Sequence, residues 1–291
     1  MIMLLFTLLT LLPLTSNAQQ TDEVLRVNTD LVLINTTVVD EQHRFVSGLK
    51  RADFKVLEDG REQKLSTFSA EETPFAVAIL LDTSGSMEGR LTLARAAAIE
   101  FLDGLRGEDV ASVYRFDTKV ERLQEFSPSR DLPEHAFGLR ASGMTVLNDA
   151  LLRAANDLAE RPEKRRAIVV LSDGGENYSR ASSEKALERT LAAGATIYSV
   201  NMSDEAYRDF VGTMILRNFA SKTGGLYIAS PGGQALRDAF TTIVDELGHQ
   251  YTLGYQPSNR ARDGSWRAIE VKLSRPGLTA RTRKGYRAPK E

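Results

Sequence analysis

Two apolar runs, each ending in an aspartate, constrain this 291-residue chain more than any other feature. Phe75-Ala76-Val77-Ala78-Ile79-Leu80-Leu81 leads into Asp82, and Ala167-Ile168-Val169-Val170-Leu171 leads through Ser172 into Asp173. Neither run alternates apolar with polar residues, so each reads as a strand buried on both faces, as in a parallel sheet covered by helices. An aspartate at the carboxyl end of each strand puts two carboxylates on the edge where open α/β sheets bind their ligands.

The residues around these aspartates narrow the chemistry. Asp82-Thr83-Ser84-Gly85-Ser86 sets a carboxylate and two hydroxyls at alternate positions. Ser142-Gly143-Met144-Thr145 precedes Leu147, Leu151, Ala154 and Leu158, which share one helix face, so Thr145 enters a helix and offers a third hydroxyl. Oxygen donors, mostly neutral, suit a small hard cation such as Mg²⁺, which needs neither cysteine nor histidine. The plain alternative for Asp82 and its hydroxyls is a helix N-cap, because a helix starts near Arg90. The second aspartate and the later threonine favour the cation.

With these residues in place, the chain resembles the von Willebrand factor type A family and its metal-ion-dependent adhesion site. The pattern is Asp-x-Ser-x-Ser with a later Thr and a later Asp, here Asp82, Ser84, Ser86, Thr145 and Asp173. The resemblance spans roughly residues 73 to 247. It implies that Ser84, Ser86 and Thr145 ligate the metal directly or nearly so, while Asp82 and Asp173 ligate it or hold its waters. Mg²⁺ is the expected ion, with Mn²⁺ or Ca²⁺ as alternatives. Two acidic groups leave such a cation short of negative charge, so an open coordination position favours a carboxylate from a protein partner. No turnover is expected. One departure is Ser142-Gly143-Met144 before Thr145, where many bacterial members carry paired glycines; it bears on the shape of that loop.

The expected fold class is α/β, a doubly wound, mostly parallel sheet with helices on both faces, flanked by a small β-sandwich. Residues 73–248 form the central domain: Leu91, Ala94, Ala98, Leu102 and Leu105 mark one helix, and Leu236, Phe240, Ile243 and Leu247 mark the last. Further strands are expected at Ala111 to Phe116, Val120 to Phe126, Thr196 to Val200 and Leu226 to Ala229. Residues 19–72 are β-like, with Asp59-Gly60 joining Phe54 to Glu58 and Gln63 to Leu65 as a hairpin. Residues 249–291 carry three expected strands: Tyr251 to Tyr255, Trp266 to Leu273 and Leu278 to Tyr286. Neither flank has the strands or apolar residues for its own core, so the two are expected to pair around the inserted central domain.

The apolar stretch from Met1 to Leu14, followed by Ser16-Asn17-Ala18, reads as a signal peptide over residues 1–18 and implies a secreted or periplasmic protein. No basic residue precedes that stretch, which leaves an uncleaved membrane anchor as the alternative. No later segment is apolar enough to cross a bilayer. There is no cysteine, so stability rests on the core. A net charge of −2 argues against a nucleic-acid binder, although Arg281, Arg283, Lys284 and Arg287 make the carboxyl end locally basic.

Several rival readings share parts of this pattern. A structural or assembly component of an envelope complex would use the flanking sheets instead of the metal. A Mg²⁺-dependent phosphoryl-transfer enzyme would use Asp82 as nucleophile with Arg90 on the phosphate, but Ser84 and Ser86 stand where a second acid is wanted. An aspartic protease needs its Asp-Thr/Ser-Gly loop twice, whereas the second aspartate here opens Asp173-Gly174-Gly175. Ser182-x-x-Lys185 sits at a helix start, and no Gly-x-Ser-x-Gly occurs.

Overall fold

The computed structural model describes residues 31–70, 73–207, 209–230 and 232–290. The expected signal peptide lies outside the described residues. Four strands come first: β1 (Val32–Val39), β2 (Phe54–Glu58), β3 (Arg61–Gln63) and β4 (Leu65–Ser69). Asp59 and Gly60, both at positive φ, turn β2 back onto β3. The hairpin's second arm is Arg61–Gln63, not the expected Gln63 to Leu65, because the chain changes sheets at Lys64 and β4 pairs elsewhere.

The central region alternates strand and helix. Its strands are β5 (Phe75–Asp82), β6 (Val110–Phe116), β7 (Val120–Ser127), β8 (Arg165–Ser172), β9 (Ala195–Asn201) and β10 (Tyr227–Ala229). They form one sheet in the order β10-β9-β8-β5-β6-β7. Every pair is parallel except β6 and β7, whose three-residue connection is too short for a crossover. Every residue of β5 and β9 is buried, the outcome that the unbroken apolar run from Phe75 to Leu81 requires of β5.

Five helices cover this sheet: α1 (Leu91–Asp103), α2 (Leu147–Ala159), α3 (Ser183–Ala192), α4 (Phe210–Thr223) and α5 (Gly233–Gly248). The side chains of β5 alternate between two cores. Val77, Ile79 and Leu81 pack with Ala94, Ala98, Phe101, Leu236 and Phe240 of α1 and α5. Ala76, Ala78 and Leu80 pack on the other face with Leu147, Leu151, Ala154, Ala186 and Phe219 of α2, α3 and α4. The sheet is therefore covered on both faces, and its carboxyl edge stays free for chemistry.

After α5 come β11 (Tyr251–Tyr255), β12 (Trp266–Leu273), β13 (Thr279–Arg281) and β14 (Gly285–Arg287). Strands from the two flanks interleave in two sheets, β13-β1-β11-β4 and β14-β12-β2-β3. One core joins the sheets, with Ile34, Val38, Tyr251 and Leu253 from the first and Phe54, Val56 and Ile269 from the second. The expected single strand from Leu278 to Tyr286 is two strands in different sheets. The break follows from outside contacts: Thr282 Oγ1 donates to Asn35 O at 2.8 Å and Lys284 N to Lys222 O at 3.1 Å, which carries the chain from one sheet to the other. No described helix is long and apolar enough to cross a membrane.

Candidate metal centre

Asp82 closes β5 and Asp173 follows β8, and these strands are neighbours in parallel register, so both carboxylates stand on one edge. The chain leaves β5 through a short 3-10 turn over Gly85–Met87, which carries Ser86 and is preceded by Ser84. Their hydroxyl oxygens lie 3.2 Å apart. Thr145 stands in the loop two residues before α2. The backbone ties this loop to the first: Ser142 N donates to Thr83 O at 2.9 Å, and Gly85 N to Gly143 O at 3.2 Å.

Asp82 has no exposed surface. Its Oδ1 accepts the Ser84 amide at 2.9 Å and its Oδ2 accepts the Ser172 hydroxyl at 2.5 Å. Burial pushes its carboxyl up to about 7; the Ser172 and Ser84 hydrogen bonds resist that rise and the charge of Asp173 adds to it. Asp173 Oδ1 accepts the Gly175 amide at 3.0 Å. A Cβ on Gly175 would meet that same oxygen at 3.2 Å and Thr145 Oγ1 at 3.4 Å, so these two oxygens converge across the bare glycine. All five expected residues therefore meet at one edge. None of the ion pairs among the described residues involves Asp82 or Asp173. A deeply buried carboxylate short of positive charge, a second carboxylate beside it and three hydroxyls make a donor set that fits a hard cation.

The surrounding residues hold this edge in shape, and three of them carried no assigned role in the sequence. Ser172 links Asp82 to the next loop, since its Oγ also accepts the Gly174 amide at 2.9 Å. Asn177 Oδ1 accepts the Thr145 amide at 2.9 Å, and Thr145 O in turn accepts the Asn177 and Tyr178 amides. Glu176 Oε2 accepts Asn148 N at 2.7 Å, which satisfies a free donor in the first turn of α2. Ser172, Glu176 and Asn177 flank Asp173 in the sequence, and that proximity was the available signal. Gly143, at φ +80°, makes the turn before Thr145 while Thr118 Oγ1 accepts the next amide, Met144 N. One glycine at a positive φ therefore makes the turn there.

The rim of the edge is apolar. Met144, Tyr178, Phe210, Val211 and Met214 are among the nine large apolar side chains exposed on the described surface, with Phe210 76% and Val211 62% exposed. Met144 adjoins Thr145 and Tyr178 hydrogen bonds to it. The start of α4 comes so close that a Cβ on Gly174 would lie 2.5 Å from Gly212 O. More than half of the exposed large apolar residues thus belong to segments that meet at these oxygens, and such clustering marks an interaction face. Arg90 reaches the edge too, but its guanidinium pairs with Asp204 at 2.6 Å and donates to Ser86 O at 3.3 Å.

A doubly wound α/β domain with an oxygen-rich carboxyl edge defines the class. Residues 77–176, within the central region, match the family model of the von Willebrand factor type A domain. No curated protein matches the chain. Among solved structures, a von Willebrand factor type A protein from Catenulispora acidiphila is similar at 13% identity and a TM-score of 0.51, over 90% of this chain and 74% of that one. The vWF domain of the type V pili tip protein Mfa5 from Porphyromonas gingivalis is similar at 15% identity and 0.50, over 60% of this chain and 94% of the other. A mutant of the PilB minor pilin from Streptococcus sanguinis is similar at 16% and 0.50, over 61% of this chain. This chain spans 62% of that pilin's length. At these identities the likeness is one of fold.

Proposed function

We propose that this chain is a secreted or periplasmic binding protein that holds Mg²⁺ on Asp82, Ser84, Ser86, Thr145 and Asp173 and captures an acidic group of a protein partner there. The observation that carries the reading is Asp82: a carboxylate with no exposed surface, hydrogen-bonded by Ser84 and Ser172 yet paired with no cation among the described residues. A bound divalent ion would supply the missing positive charge and an open coordination position for a partner carboxylate. The chain's own part is to fix the oxygens, through Ser172 on Asp82 and Asn177 on the Thr145 loop. The apolar rim of Met144, Tyr178, Phe210 and Val211 would bury surface around the captured group, which gives the partner an acidic side chain set among apolar ones.

The reading is non-enzymatic. The hydroxyls of Ser84 and Ser86 contact each other and not a histidine or lysine base. Arg90, the group a phosphoryl-transfer site would need, is held by Asp204. The similarity in fold to a pilus tip protein and a minor pilin supports a role in attachment. The test is titration calorimetry of Mg²⁺ into chelator-stripped protein, wild type beside Asp82→Ala/Asp173→Ala. Saturable heat from the wild type alone is expected. A folded double variant with unchanged affinity would sink the assignment.

A further inference from the structure

At the other end of the molecule a cavity of about 820 Å³ opens where the two flanking sheets meet the central domain. Its walls are the first residues of β1, the start of β8, the end of α3, the loop after β11 and the last strand, β14. This volume lies within the range of ligand sites in proteins. Six cationic side chains line it, Lys164, Arg166, Arg260, Arg283, Arg287 and Lys290, against one carboxylate, Glu188.

The chain itself uses only part of this charge. Arg166 is spent on the carbonyls of Arg161, Glu163 and Ala193, and Arg287 pairs loosely with Glu188 at 3.7 Å. Lys164, Arg260 and Lys290 are exposed and join none of the ion pairs among the described residues. Arg283 gives Nη1 to Leu191 O at 2.9 Å, but its Nε is buried with no acceptor among the described residues. Behind this wall Arg267, 2% exposed, gives Nη2 to Ala261 O at 3.2 Å and pairs with Asp263 at 3.4 Å, while its Nε and Nη1 have no acceptor among the described residues. Buried donors without partners are rare in folded proteins, and the Arg283 donor belongs to the lining of this cavity.

The backbone supplies a second, independent demand. β1 pairs with β11 from Val32 to Thr36, but on its other side β13 pairs only with Thr37 to Val39. The chain then crosses to the other sheet at Thr282, whose hydroxyl donates to Asn35 O, so among the described residues the first half of β1 has a strand on one side only. Val32, Leu33 and Asn35 of that half line the cavity, with Leu31 just before them. An open strand edge is a template for another strand.

We propose that this groove binds an extended acidic segment of a protein partner, laid along the open half of β1 with its carboxylates on Arg283, Lys164, Arg260 and Lys290. Apolar residues at alternate positions of that segment would rest on Leu33, Leu191 and Pro257, which a free inorganic anion would leave uncovered. The site stands on the opposite edge from Asp82 and does not depend on a metal there.

The test is fluorescence anisotropy of a labelled peptide of alternating Glu and Leu, titrated with the full chain in EDTA. Saturable binding is expected. It should weaken as salt rises and fall by about tenfold in Arg260→Glu/Lys290→Glu, whose positions are exposed and whose melting should match the parent. A peptide with N-methylated alternate amides, which cannot add to a strand edge, should bind far less. No saturable binding, or binding indifferent to both the charge reversals and the N-methylation, overturns the proposal. So does displacement of the peptide by inorganic phosphate at equal concentration, or by anionic phospholipid vesicles, since either makes the groove a general anion site.

Discussion

Two carboxylates in this molecule are equally buried and differently completed. Glu246, on α5 at the junction with the flanking sheets, forms an ion pair with Arg281 and accepts hydroxyl hydrogen bonds from Tyr198 and Thr37, both at 2.9 Å. Asp82, at the opposite edge of the same sheet, has hydrogen-bond donors but no ion pair among the described residues. Both lose their hydration on folding, and among the described residues only Glu246 recovers a positive charge. Where the chain completes the charge, the result is architecture: α5, β1, β9 and β13 are joined through one side chain. Where it does not, the carboxylate is left with hydrogen bonds alone among the described residues.

The largest effect should come from breaking the completed pair. Arg281→Ala strands Glu246 with two hydroxyls and no cation, and removing one partner of a buried pair costs about 3 kcal/mol or more. The urea midpoint should fall accordingly with the slope unchanged. A loss below about 1 kcal/mol would mean that water reaches Glu246 and that the contrast with Asp82 is false.

The incomplete edge predicts a different response. Magnesium at about a hundred times its dissociation constant should stabilise the protein by roughly 2.7 kcal/mol, read as a melting temperature several degrees higher than in EDTA. Asp82→Asn should abolish that rise. In EDTA the variant should melt no lower than the parent, because the amide carries no buried charge. A variant that melts well below the parent in EDTA would make Asp82 another architectural carboxylate.

The sequence exposes these two regions unequally. The placement of the two aspartates was legible because local text carries it: an unbroken apolar run needs two buried faces, and an aspartate at its end must then stand on the sheet's edge. Thr145 was placed by the helical stripe that begins two residues later. Ser172 and Asn177 are harder to read, because each acts on a residue 90 or 32 positions away. The junction was less legible still. Leu278 to Tyr286 reads as one strand, and it is divided by contacts to Asn35 and Lys222 that no local pattern announces. Glu246 sits in the last helix among other charged residues, and nothing local marks it as the partner of Arg281. The reversed direction of β7 could have been read from the short 117–119 connection.

The smallest predicted effect tests whether the carboxylate edge is independent of the helices that begin beside it. Ser182 caps α3 by accepting the Lys185 amide at 3.2 Å, so its spacing to Lys185 serves a helix terminus and not a catalytic pair. The next residue, Ser183, donates to Asn148 Oδ1 at 3.1 Å in the first turn of α2, the turn whose amides Glu176 and Ser179 hold. Ser182→Ala should therefore cost about 1 kcal/mol in urea denaturation. Its Mg²⁺ affinity should equal the parent's, because the Thr145 loop is fixed separately by Asn177 and by the backbone bonds to Thr83 and Gly85. If affinity falls along with the cap, the oxygens are positioned by helix packing, and the edge is no more self-contained than the Glu246 junction it is set against.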